Sequence, residues 1–308
     1  MAPEDLDARV RQAAFAFLAE QTLLHGEALP RSLLTTGFKF EGHQVRFAGP
    51  QGIFKPAVLP EIPLTITTVP IVEGKPRPYE DEADPDGLLR YRYRGTDPQH
   101  RDNVGLRLAM KRNVPLIYLY GLVPGQYMPV WPVFVVGDDP TALCFTVSVE
   151  DRAVLATDRL DVHTEPGHAA RRSYVTQVTL RRMHQQSFRQ RVLRAYREQC
   201  SICRLRHKEL LEAAHILPDS HPRGEPIVPN GLSLCKLHHA AFDRHILGIR
   251  PDLKVELRLD ILREIDGPML KYGLQGFQGS RLYVPRAKRL KPDTDFLEER
   301  YELFKQAG

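Results

Sequence analysis

Cys200-Ser201-Ile202-Cys203, then Glu212-Ala213-Ala214-His215-Ile216-Leu217-Pro218, then Asn230-Gly231-Leu232-Ser233-Leu234-Cys235-Lys236-Leu237-His238-His239-Ala240-Ala241-Phe242-Asp243: these three stretches decide the fold of the C-terminal half. Two thiolates at C-x-x-C spacing can close on one ion from a tight turn. A second pair, Cys235 and His238, follows after 31 intervening residues, at a predicted helix start where both can face one point. Cys200, Cys203, Cys235 and His238 together predict a closed Cys3His tetrahedron around Zn²⁺. Four protein ligands leave no position for substrate, so the expected role is structural. His239 follows the last ligand directly, and Asp243 lies four residues beyond it, on the same helical face.

The rest of the chain bounds the problem. Its 308 residues predict two domains, and 42% hydrophobic with 26% charged residues excludes collagen and a disordered tail. The N-terminus carries no basic segment followed by an apolar run, so no secretory signal is expected. A cysteine cluster with histidines nearby fits metal binding in a reducing compartment, and hence the cytoplasm. Residues 113–137 carry no charge and are long enough to cross a bilayer as a helix, but they contain Pro115, Pro124, Pro129 and Pro132. They read instead as strands over 116–122 and 130–136 joined by a turn at 123–126, with no membrane partner. Net charge is +5. Residues 171–250 hold 15 Lys and Arg against 6 Asp and Glu, a net of +9, which leaves −4 for the remaining 228. A basic C-terminal region suggests nucleic acid there; the alternative is a solvated basic surface.

The predicted fold class is α+β. Residues 5–25 form a helix with Leu6, Val10, Ala14, Phe17, Leu18 and Leu24 on one face. A curved, mainly antiparallel sheet follows, with a hairpin at 38–47, strands at 64–69 and 143–149, and a short helix at 103–112. Residues 80–84 read as an exposed acidic loop, 161–173 as a linker and 174–180 as a short strand. A helix over 184–198 buries Phe188, Val192, Leu193 and Tyr196. Its polar face carries Arg189, Arg191, Arg194 and Arg197, which either clamp a duplex backbone or face solvent. The expected domains are 1–160, 161–183 for linker and strand, and 184–308 for the metal unit.

The order His215, Asn230, His239, woven through the C-x-x-C and C-x-x-H frame, resembles the HNH (ββα-metal) nuclease family. The string from Asn230 to Asp243 resembles its subgroup ending in H-x-x-F-D. The resemblance implies that His215, ending the first strand of the ββα unit, is a general base, and that Asn230 pins the loop and orients that base. His239 and Asp243 would ligate one catalytic Mg²⁺ or Mn²⁺. Many family members carry an aspartate ligand immediately before the base; here that position is Ala214, so Asp243 would have to supply the carboxylate. A phosphodiester hydrolase needs both functions: a near-neutral imidazole to take a proton from water, and a cation for the phosphate.

Such a unit grips backbone more than bases, so target choice falls to the first domain. Residues 91–97 interleave aromatics with arginines, as stacking on a base and contact with phosphate require, and Tyr91, Tyr93, Arg94, Asp97, Tyr118, Tyr120 and Trp131 are the candidates for a pocket. The alternative for Trp131 and the tyrosines is a place in the core. A curved β-domain joined to a C-terminal HNH unit resembles the methyl-directed (Mcr-type) restriction enzymes, whose SRA or PUA-like readers flip a modified base. That resemblance implies double-stranded DNA carrying modified cytosine as the partner and a homodimer for double-strand cutting. Two alternatives stand beside it: a zinc-stapled DNA-binding module without catalysis, and a nuclease whose first domain binds protein.

Overall fold

The computed structural model describes residues 3–72, 87–152 and 168–307. The chain divides into two compact units, Met1–His184 and Gln185–Gly308. The acidic stretch 80–84 and most of the predicted linker lie outside the described residues. Among the described residues, no helix is long and apolar enough to cross a membrane.

Among the described residues, the first unit is built on a seven-stranded sheet: β1 (Leu29–Pro30), β4 (Ile53–Phe54), β5 (Thr65–Thr67), β6 (Leu89–Arg92), β7 (Leu116–Val123), β8 (Gln126–Asp139) and β9 (Cys144–Val149). They run in the order β4-β5-β7-β8-β9-β6, with β1 also on β8, and only β5–β7 pair in parallel. The uncharged run at 113–137 is the central hairpin β7–β8. Alternation along β7 explains why it has no polar face. Leu116, Tyr118, Tyr120 and Leu122 enter one core, while Ile117 and Leu119 enter another beneath helix α1 (Pro3–His25). Helix α1 contributes Val10, Ala14 and Leu18 to that second core. Leu24 does not follow the predicted face and is exposed. Strands β2 (Phe38–Phe40) and β3 (His43–Val45) form the expected hairpin, with Glu41 and Gly42 both in left-handed backbone. Short helix α2 (Arg31–Thr36) buries Leu34, and helix α3 (Arg101–Lys111) packs Leu106 and Ala109 on the sheet.

One element differs from expectation. Residues 174–180 are not a strand but part of one 28-residue helix, α4 (His168–Ala195). Val175, Thr176, Val178 and Thr179 favour strands locally. Yet the buried positions Thr176, Leu180, Met183 and Ser187 recur at helical spacing, and tertiary packing overrides the local preference. Residues 168–173, expected in a linker, open this helix.

In the second unit, α4 ends at Ala195 and Arg197 and Glu198 turn the chain through left-handed backbone. Strands β10 (Leu211–His215) and β11 (Gly231–Cys235) pair antiparallel, and α5 (Lys236–Asp243) follows directly. Gly231 is required by packing: a Cβ there would meet Val192 at 2.4 Å and Phe188 at 2.9 Å. Strands β12 (Leu247–Ile249) and β13 (Val255–Leu257), short helices α6 (Leu259–Arg263) and α7 (Pro268–Gly273), and α8 (Thr294–Gln306) complete the unit. Its core gathers Phe188, Val192, Leu193, Tyr196, Ala214, Leu232, Phe242 and Leu297.

Candidate active site

The turn after α4 and the start of α5 bring four soft ligands to one point. The donor atoms of Cys200, Cys203, Cys235 and His238 all lie within 4.8 Å of one another. Cys203 Sγ is 3.9 Å from Cys235 Sγ, and His238 Nδ1 is 3.1 Å from Cys235 Sγ and 3.6 Å from Cys200 Sγ. A tetrahedron with Zn–S near 2.3 Å has edges of roughly 3.8 Å, so the donor set fits a metal such as zinc. His238 Nε2 lies 2.9 Å from the Gly273 carbonyl. Donation there fixes the ring and leaves Nδ1 for the ion. Hydrogen bonds from Cys203 and Cys235 hold the Cys200 thiol below its ordinary range, and the same contacts push the Cys203 thiol up.

His215 ends β10, and its imidazole stacks on Phe188 with ring centroids 4.1 Å apart. Burial, the largest influence, pushes its pKa below the ordinary histidine value. Asp219 and Asp243 act upward against this, and His239 acts downward. The Asp219 carboxylate lies 3.0 Å from Nε2, but Nε2 has no aligned hydrogen-bond partner among the described residues. The distance marks a charge neighbour, and the poor alignment argues against a formed hydrogen bond.

On α5, His239 Nε2 and Asp243 Oδ2 are 3.2 Å apart, a nitrogen and an oxygen converging as cis ligands of one ion would. The other ring nitrogen, Nδ1, lies 2.6 Å from Glu212 Oε2 on β10. With the proton on Nδ1, the carboxylate orients the ring and Nε2 is left as a donor atom. Asn230 is fully buried and holds the intervening loop. Its Oδ1 accepts from Leu217 N at 2.9 Å, and its Nδ2 donates to the carbonyls of Leu217 and Glu225, each at 3.0 Å.

In the first unit, a cavity of about 300 Å³ is lined by Gln51, Thr67, Tyr91, Tyr93 and Arg94, among others. Tyr93 is braced by Asp138 and by Arg107, whose Nη2 is 3.1 Å from its hydroxyl. Arg94 Nη1 contacts Asp102 at 2.7 Å. Trp131 and Asp97 are not among the lining residues. Trp131 is buried in the core beneath α1, with Arg152 over its ring, and Asp97 caps a turn through Gln99 N. Tyr118 and Tyr120 are also core residues.

A family model described as HNH endonuclease matches residues 200–250. Residues 200–250 are an HNH endonuclease domain. No curated protein matches the chain. A solved structure described as "Modification dependent TagI restriction endonuclease" is similar at 17% identity and a TM-score of 0.28, over 79% of this chain and 82% of that chain.

The helix leading into the HNH domain does not present four arginines to solvent. Arg189 Nη2 donates to Leu211 O at 2.8 Å and Lys208 O at 3.2 Å, and Arg191, itself buried, donates to Pro226 O at 2.5 Å. These two brace the HNH core. Arg194 is exposed on the last turn, and Arg197 lies beyond the helix end. Three residues of the HNH neighbourhood escape sequence reasoning: Glu212, Asp219 and Arg300. Glu212 had a signal, because it stands two positions before Ala214 and so on the same side of β10. Arg300, on α8, donates to Phe242 O at 3.1 Å and lies 3.9 Å from Asp243. Nothing local in the sequence marks it.

Proposed function

We propose that this chain is a metal-dependent DNA endonuclease, with His215 as general base and the first unit as the reader of modified cytosine (5-methyl or 5-hydroxymethyl). The observation that carries the nuclease part is the unit of β10, β11 and α5, which ends its first strand on the half-buried His215 and converges His239 Nε2 and Asp243 Oδ2 to 3.2 Å. His215 takes a proton from water, and the hydroxide attacks phosphorus. The bond to the 3′ oxygen breaks, giving 5′-phosphate and 3′-hydroxyl ends. His239 and Asp243 would hold Mg²⁺ or Mn²⁺, which when bound neutralises the phosphate and the departing oxygen. Glu212 orients His239, Asn230 fixes the loop that follows the base, and Zn²⁺ in the Cys3His cluster is structural.

The cavity beside Tyr91, Tyr93 and Arg94 supports a base-reading role for the first unit, since aromatic walls and a cation suit a nucleobase with its phosphate. A single HNH site cuts one strand, so double-strand cutting calls for two copies in a homodimer. Digestion of matched plasmids carrying cytosine, 5-methylcytosine or 5-hydroxymethylcytosine tests the specificity. Faster cutting of a modified plasmid is expected. Equal rates on all three would remove the modified-cytosine reading and leave the nuclease.

A further inference from the structure

Residues 267–292 contain no Asp or Glu but hold Lys271, Arg281, Arg286, Lys288, Arg289 and Lys291. The last four fall within six residues and all are exposed. The part from 283 to 293 is pinned at both ends to residues 200–250. Tyr283 N donates to Ser201 O at 2.8 Å, inside the C-x-x-C turn, and Asp293 N donates to Pro229 O at 3.0 Å, beside Asn230. Between these anchors the turn Lys288–Leu290 packs against the turn Val228–Asn230. Pro285 and Pro292 are buried and stiffen the strap, so little conformational freedom is left to lose on binding.

Among the described residues, Arg286, Lys288 and Lys291 have no ion-pair partner, whereas Arg223 pairs with Glu299 nearby. Like charges held together by a fixed backbone repel one another, and a polyanion relieves that repulsion. We infer that the 286–291 strap grips the phosphate backbone of duplex DNA beside the loop that carries Asn230. This rests on the DNA endonuclease reading. The grip depends on charge and is indifferent to base identity, in contrast to the cavity of the first unit.

The test is the salt dependence of duplex binding by the zinc-loaded full-length chain, without added Mg²⁺. Plain and modified duplexes are compared across a salt series. Arg286→Ala/Lys288→Ala/Lys291→Ala should flatten the log–log slope by about 2 to 3, at about 0.9 per lost phosphate contact. It should also weaken both duplexes by the same factor, at least about tenfold. Lys288→Gln alone should flatten the slope by about 1 without disturbing the turn. The charge-matched Lys254→Ala/Arg263→Ala/Lys305→Ala should keep the wild-type slope. An unchanged slope in the strap variants, or an equal loss in the control, overturns the strap. If the wild type nicks plasmid while the strap variants bind normally, the strap fails and the nuclease stands. If the wild type neither binds nor nicks, both fail.

Discussion

His215 is where burial becomes chemistry. An exposed imidazole would be partly protonated near neutral pH; this one is pushed below its ordinary value mainly by burial against Phe188. It stays neutral, and competent as a base, further into the acid range. The acid limb of the cutting rate is therefore expected below pH about 6.5, and a limb at or above that value would contradict the assignment. The sign for folding is the same. The unfolded chain binds this proton more tightly, so stability is lost as pH falls through that window. Glu212 allows a second residue-scale prediction. Its carboxylate orients His239 from 2.6 Å. Glu212→Gln should weaken the apparent affinity for Mg²⁺ or Mn²⁺ in the cutting assay by about 10–100-fold while zinc content stays unchanged. Unaltered metal dependence would reduce Glu212 to a surface carboxylate.

At the scale of elements, the β10–β11 hairpin and α5 are held by two different devices. The Cys3His cluster ties the turn after α4 to the start of α5, and Asn230 ties the loop between the strands. Cys203→Ser removes one corner of the cluster. It should lower the melting temperature by about 10 °C or more and release zinc, because structural metal binding supplies folding free energy. Unchanged melting would rule out a structural ion. This unit is the part most legible in sequence, because its ligands and polar pins are fixed by short spacings within residues 200–250. Helix α4 was less legible: β-branched residues at 175–179 point to a strand, and only burial at Thr176, Leu180 and Met183 shows the helical period. The roles of Arg189 and Arg191 were hidden for a related reason. Their carbonyl partners lie 19 to 35 residues away, and no local pattern announces them.

Across the whole molecule, the two units differ in how far the sequence reveals them. The interleaved aromatics and arginines at 91–94 mark one wall of the first unit's cavity, but Ile53 and Thr67 reach it through strand pairings that no local spacing predicts. Trp131 shows the opposite failure. A lone tryptophan looks like a stacking platform, yet the sheet turns it into the core. The HNH domain carries the claim on which everything else depends, that His215 drives hydrolysis beside a cation held by His239 and Asp243. Conversion of supercoiled plasmid to nicked circles with Mg²⁺ or Mn²⁺, wild type against His215→Ala, measures it directly. The wild type should nick one or more of the plain and modified plasmids, while His215→Ala keeps its fold, zinc and DNA affinity but loses cutting. Nicking by His215→Ala at the wild-type rate, or inertness of both proteins on every substrate, would contradict it.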